Sequence, residues 1–270
     1  LGDGALVARI GGDEFAVLVP VAPAFPPARL ASDLVAAMRQ SFRIGDYQIA
    51  VTLSIGLVTA ARDQRDDVTL LLNRAELALA AAKQAGRNRA IGFTPDLEEE
   101  RDLERALERD LASALADGGL RMVYQPILPV AAEAQGRERE VEALVRWRHP
   151  VLGEISPARF IPAAERGGLM VQLGGWIIER SLSDLRRWPD VSLSINLSPL
   201  QLQQEGFAGF LTECCRINGI TANRLFLEVT ESLSIERNAR ALLTLNLLRT
   251  LGFRIALDDF GTGYSSLCLL

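Results

Sequence analysis

The sequence predicts an α/β protein whose second half is built from parallel strands of a barrel. The stretch Arg254-Ile255-Ala256-Leu257-Asp258-Asp259-Phe260-Gly261-Thr262-Gly263-Tyr264-Ser265 ends an apolar run in two adjacent carboxylates and then breaks into a glycine-spaced loop. That is the form of a buried strand delivering acids to a site at its end. Two earlier stretches share it: Leu193-Ser194-Ile195-Asn196-Leu197-Ser198 ends on an amide, and Leu225-Phe226-Leu227-Glu228-Val229-Thr230-Glu231 ends on acids. From Asn196 to Glu228 is 32 residues and from Glu228 to Asp258 is 30, close to the roughly 30 residues of one βα unit. Polar residues recurring at the carboxyl ends of successive parallel strands are the layout of a barrel-type active site.

Composition narrows the chemistry. The chain has 270 residues, 49% apolar and 23% charged, which reads as a soluble globular protein of one large domain or two ordinary ones. A net charge of −5 without a basic block argues against DNA or RNA as a partner. His149 is the one histidine, and Cys214, Cys215 and Cys268 show no ligand spacing, so a zinc site or a serine-histidine triad has almost nothing to build from. Cys214 and Cys215 are expected as buried helix thiols in a reducing, cytoplasmic setting. No apolar run approaches the length of a membrane span.

In the first half, Ala5 to Ile10 and Phe15 to Val19 are strand candidates flanking Gly11-Gly12-Asp13-Glu14, a hairpin signal. Pro27 starts a helix whose Leu30, Leu34, Met38 and Phe42 share a face. Ile49 to Gly56 alternates as a strand. Leu71, Ala75, Ala78 and Ala82 line a further helix capped by Gly86, with Lys83, Arg87 and Arg89 around the cap. Together these pieces resemble the GGDEF (diguanylate cyclase) family, whose fold is ferredoxin-like, of the nucleotidyl-cyclase type. The resemblance rests on Gly11-Gly12-Asp13-Glu14-Phe15, Val51-Thr52-Leu53-Ser54-Ile55-Gly56 and Lys83-Gln84-Ala85-Gly86-Arg87-Asn88-Arg89. It implies that Gly11 and Gly12 let GTP approach the hairpin, that Asp13 holds a divalent cation with Glu14 beside it, and that Lys83 and Arg87, one helical turn apart, face triphosphate oxygens. Gly2 and Ala5 stand where the family's RxxD product-inhibition motif would place Arg and Asp, so no such inhibitory site is expected. A further metal-binding Asp and a guanine-reading pair are implied upstream of Leu1.

Thr94-Pro95-Asp96 reads as a helix start, and Leu103, Leu107, Leu111 and Leu115 form a stripe expected to pack on the domain that follows. This gives a first domain over 1–93, a connecting helix over 94–118 and a second domain over 119–270.

In the second domain, Leu120 to Ile127 reads as one strand and Glu140 to Trp147 as another. Here the chain resembles the EAL family of cyclic di-GMP phosphodiesterases, a TIM (β/α) barrel. The motifs are Glu142-Ala143-Leu144 with Arg146-Trp147 and His149-Pro150, Phe160-Ile161-Pro162-Ala163-Ala164-Glu165, Asn196-Leu197-Ser198, Glu228-Val229-Thr230-Glu231 and Asp258-Asp259-Phe260-Gly261-Thr262-Gly263. Glu142, Asn196, Glu228 and Asp258 are each expected at a strand end, gathered at one mouth. Carboxylates without histidine are hard oxygen ligands, suited to Mg2+ or Mn2+. Asp259 would serve a second metal or its water, and a metal pair can activate water for in-line hydrolysis. Arg146, four residues after Glu142 and on the same strand face, would clamp a substrate phosphate. The resemblance implies that Glu231 anchors the loop after Asp258 and that Gln125 lies near the substrate. It also implies a lysine and further acids beyond Leu270. On this reading the 270 residues are the middle of a longer, homodimeric enzyme, a barrel of five strands that cannot close or turn over substrate alone. Cyclic di-GMP synthesis from GTP, or nucleotide binding without catalysis, are the competing readings.

Overall fold

The computed structural model describes residues 4–21, 26–60, 67–128, 139–230 and 239–258. The chain divides into two compact units, Leu1–Leu103 and Glu104–Leu270.

In the first unit, β1 (Leu6–Gly11) and β2 (Glu14–Leu18) form an antiparallel hairpin around the paired glycines. Helix α1 (Pro27–Met38) begins on proline as expected but stops before Phe42, which instead opens β3 (Phe42–Ile44), paired with β4 (Tyr47–Ile49). The single strand expected over 49–56 is not formed. Its first residue closes β4 and its last two lie in β5 (Ile55–Leu57), parallel to β6 (Ala90–Gly92). Between β5 and β6 runs α2 (Val68–Gln84), packed so closely that a Cβ on Gly56 would meet the Ala75 carbonyl and the Leu79 backbone. Its end is a Schellman cap: the Gly86 amide donates to the Lys83 carbonyl and the Arg87 amide to that of Ala82, with Gly86 at φ +105.

Helix α3 (Pro95–Asp117) starts at the predicted proline and contains the division between the units. In the second unit its Leu107, Leu111 and Ala114 are buried. Arg166 of α4 (Pro157–Arg166) bonds Glu104 at 3.1 Å and Glu108 at 3.1 Å. The buried His149 approaches Asp110 at 3.0 Å through Nε2, while its Nδ1 accepts from the amides of Val151 and Leu152. Both ring nitrogens are taken up within the fold, so this histidine is a structural tie, not a ligand.

The second unit is one sheet in the order β12-β11-β10-β8-β7. Its strands are β7 (Leu120–Ile127), β8 (Arg139–His149), β10 (Val191–Asn196), β11 (Leu225–Thr230) and β12 (Arg254–Asp258), with β9 (Gly153–Ile155) beside β8. β8, β10, β11 and β12 are mutually parallel neighbours in sequence order, and β7 runs antiparallel to β8. The crossovers are helical: α4 and α5 (Met170–Leu185), then α6 (Pro199–Leu202) and α7 (Phe207–Asn218), then α8 (Ala239–Thr250). Sequential parallel strands with helices between them are the winding of a (β/α) barrel.

Strand alternation sorts the side chains. On β8, Ala143, Val145, Trp147 and His149 are buried, while Glu140, Glu142, Leu144 and Arg146 occupy the other face. The core-facing set meets the helices, with Trp147 edge-on to Phe160 at 5.7 Å. Tyr124 pins β7 by donating to Asp184 at 2.9 Å and meeting Trp188 edge-on at 4.9 Å. Cys214 and Cys215 are buried free thiols on α7, and burial pushes Cys215 up to about 11.

Candidate active site

The parallel registers build the mouth. Asn196 is the last residue of β10, and its neighbour in register on β11 is Glu228. Thr230 is level with Asp258, the last residue of β12. On the other side Ser194 is level with Glu142, and across the antiparallel pair Gln125 is level with Glu142. The expectation that all four candidate ligands end strands is corrected here. Glu142 is the fourth of eleven residues in β8, and two residues of β11 follow Glu228. Both still stand near the carboxyl edge of the parallel sheet: Glu228 is level with Asn196, where β10 ends, and Glu142 is level with Ser194, two residues before that end. The rest of β8 projects beyond that edge to pair with β7 and β9.

Two of these side chains are bonded to each other. The Asn196 amide Nδ2 donates to Glu142 Oε1 at 2.8 Å, which commits the nitrogen and leaves the amide oxygen as an acceptor. The half-buried Glu228 carboxyl is pushed above the usual carboxylate range, chiefly by burial and then by the negative charges of Glu142, Asp258 and Glu140. A hydrogen bond from Ser194 opposes the shift. Among the described residues no three His, Cys, Asp or Glu side chains are drawn tightly enough together to hold an ion. Asp259 and Glu231 lie outside the described residues. The donors fit a hard cation even so: three carboxylates and an amide oxygen, with no imidazole or thiolate in the set.

Arg146 shares its face with Glu142 but lies four residues further along β8, about 13 Å at strand rise, past the end of β10. Its Nη1 is turned back onto the Val145 carbonyl at 2.9 Å. That spacing suits the two ends of an extended anion and excludes a direct Arg146–Glu142 pair. Two residues that the sequence reading passed over belong to the same cluster. Glu140 precedes Glu142 by two residues and Ser194 precedes Asn196 by two, so period-two alternation would have found both.

In the first unit, Gly12 takes φ +51 at the hairpin tip, where Arg9 clasps its carbonyl with bonds of 2.6 and 2.9 Å. A Cβ on Gly11 would meet nothing within 4 Å, so the chain's own packing does not require its bareness. Lys83 approaches Glu14 at 3.6 Å with both side chains about half exposed. Asp13 is exposed at the tip. The expected helical spacing of Lys83 and Arg87 fails, because α2 stops at Gln84 and Arg87 sits beyond the cap at φ +59. Arg87 and Asn88 are the positive-φ residues other than glycine among those described, and consecutive strained positions of this kind cluster at ligand clamps.

The second unit is thus of the parallel α/β class, with carboxylate and amide side chains near the carboxyl edge of its sheet. Comparison with known proteins gives the family. The EAL domain model matches residues 108–270, and the model described as "Diguanylate cyclase, GGDEF domain" matches residues 1–89. The chain belongs to the EAL domain family. It is 34% identical over 269 residues to MucR, a bifunctional diguanylate cyclase/cyclic di-GMP phosphodiesterase of Pseudomonas aeruginosa, covering 98% of this chain and 39% of MucR. It is 33% identical over 269 residues to the cyclic di-GMP phosphodiesterase PdeR of Escherichia coli, covering 98% of this chain and 40% of PdeR. A solved MucR phosphodiesterase–c-di-GMP complex superposes with a TM-score of 0.55 at 37% identity, over 60% of this chain and 67% of that one. The EAL enzyme Bd1971, bound to cAMP and cyclic di-GMP, gives 0.57 at 30% identity, over 76% and 54%. The chain spans about a third to two fifths of the length of the curated relatives it matches. Among the described residues no helix is long and apolar enough to cross a membrane.

Proposed function

We propose that this chain is part of a cytoplasmic, homodimeric enzyme that hydrolyses cyclic di-GMP to linear pGpG. The single observation that carries the reading is the bonded Asn196–Glu142 pair, with Glu228 level with Asn196 on the next strand. Carboxylates held this close repel one another unless a cation neutralises them. The family is divalent-metal dependent, and Glu142, Asn196, Glu228, Asp258 and Asp259 are the residues we assign to Mg2+ or Mn2+. When bound, the metal supplies activation of water and neutralisation of the phosphate charge. The chain's own residues do the rest. Arg146 at the lip binds a phosphate of the ring and Gln125, level with Glu142, meets the substrate beside it. Asn196 holds Glu142 in place through its amide, and Glu231 anchors the loop after Asp258. We divide the chain as in the sequence reading, 1–93, 94–118 and 119–270.

The test is Mn2+-dependent hydrolysis by the longer protein that contains this chain. Glu142→Ala should abolish it, and unchanged hydrolysis in that variant refutes the assignment.

A second reading has its own observations: the bare Gly11, the strained Arg87–Asn88 pair and the Lys83–Glu14 contact suit a nucleotide triphosphate. On it the first unit binds GTP, with Asp13 and Glu14 at the metal and Gly11, Gly12, Lys83 and Arg87 at the phosphates. Incubating the longer protein with GTP separates synthesis of cyclic di-GMP from binding alone.

A further inference from the structure

Beyond Glu142 the same face of β8 continues in cross-strand pairs with β7: Val123 is level with Leu144, and Arg121 with Arg146. Alternation puts Arg148 on that face as well, and β9 sets Glu154 level with it. Past the end of β10 one face therefore carries Arg121, Arg146 and Arg148 together with the carboxylate of Glu154. Arg121 reaches across β8 and donates to Glu154 Oε1 at 3.3 Å, with both side chains about half exposed. Arg146 bonds the Val145 carbonyl, and neither it nor Arg148 is ion-paired among the described residues.

Side chains directly opposite in an antiparallel pair have Cβ atoms about 5 Å apart, and like charges there destabilise the sheet. Arg121 and Arg146 are such a pair, and one half-exposed carboxylate offsets little of their repulsion. An anion held between the two guanidinium groups would remove it, and the planar fork of arginine suits phosphate oxygens. We infer that Arg121 is a second phosphate-binding residue at the lip, closing with Arg146 on one phosphate of the substrate and giving up Glu154 for it. The inference rests on reading the mouth as that of a cyclic di-GMP hydrolase. Arg146 lies about 13 Å along the strand from Glu142, with the apolar Val123–Leu144 pair between them. The phosphate held at the lip is therefore the one not under attack.

The experiment is steady-state hydrolysis of cyclic di-GMP at saturating Mn2+ by the longer protein that contains this chain. Arg121→Ala should raise KM about tenfold, the low end for a bond to a charged group because the lip is exposed, and leave kcat within about twofold. Glu154→Gln removes the competing carboxylate and should lower KM about threefold, the scale of an exposed ion pair. Arg249→Ala, which removes an exposed arginine from α8, should change neither constant. A merely structural arginine would reduce the amount of folded enzyme, lowering the apparent kcat at unchanged KM, and that result overturns the inference. So does a rise in KM for Glu154→Gln. An equal KM shift in Arg249→Ala would mean that net charge alone is at work and overturns it too. Should Arg121→Ala not fold, Arg121→Gln must show the raised KM or the inference fails. If the unaltered protein does not hydrolyse cyclic di-GMP, the phosphodiesterase reading falls and this inference with it. If it does and the Arg121 variants keep its KM, only the inference falls.

Discussion

Replacing Asn196 by aspartate tests the convergence of the mouth directly. The substitution keeps the shape of the side chain but turns the donor that now bonds Glu142 at 2.8 Å into a second anion. A hydrogen bond to a charged group contributes about 1.5–3 kcal/mol. Two carboxylates relaxed to about 4 Å repel by about 1 kcal/mol in water and about 4 kcal/mol at the effective dielectric of a protein surface. Asn196 is exposed at the rim, so the low end of both ranges applies and the metal-free protein should lose about 2–3 kcal/mol. For a unit of this size that is roughly 5–10 °C in Tm. Saturating Mn2+ should reverse the sign of the effect, because the added carboxylate becomes a ligand and binding stabilises the folded state by mass action. The assay is thermal unfolding of parent and Asn196→Asp, each in EDTA and in MnCl2. A variant as stable as the parent in EDTA, or one that Mn2+ raises less than the parent, refutes the claim that these residues form one anion cluster.

Glu228 and Gly174 give further expectations. The raised Glu228 carboxyl holds its proton more firmly folded than unfolded, so it costs stability once pH exceeds the ordinary carboxylate value, about 4.3, and the cost levels off above its folded value. Metal-free Glu228→Gln should melt higher than the parent at pH 7, with the advantage gone by about pH 4, and should lose the Mn2+ response. A gain of equal size at pH 3.5 would contradict this. Gly174→Ala would drive a Cβ into the Gln201 side-chain amide. Gln201 is buried and accepts the Ser198 amide in the capping box that opens α6, so urea unfolding should show a loss of about 1–3 kcal/mol. A loss below about 0.5 kcal/mol would mean that α5 shifts freely.

Much of the second unit was legible in the sequence because its signals are local. The spacing of Asn196, Glu228 and Asp258 repeats one βα unit, and alternation on β8 separates Glu142 and Arg146 from the core-facing Ala143, Val145 and Trp147. The paired glycines 11 and 12 marked the first hairpin, and Pro95 the start of α3. The failures are of a different kind. Ile49 to Gly56 alternates like a strand, but a strand needs a partner: Tyr47–Ile49 finds one in β3 and Ile55–Leu57 in β6, while 50–54 pair with neither. Arg87 follows Lys83 at helical spacing, yet the Schellman cap at Gly86 ends the helix between them.

Which residues bear the carboxylate and amide oxygens, and on which face of each strand they lie, was readable from the order of residues alone, because side-chain alternation is a property of one strand. That order did not determine their heights. That Glu142 stands level with Ser194, Asn196 with Glu228 and Asp258 with Thr230 is set by the register between strands, a long-range relation written in no single segment. Only the tertiary structure could set the antiparallel β7 beside Glu142, extend β8 past the edge of the sheet, and bring Glu140 and Ser194 under Glu228.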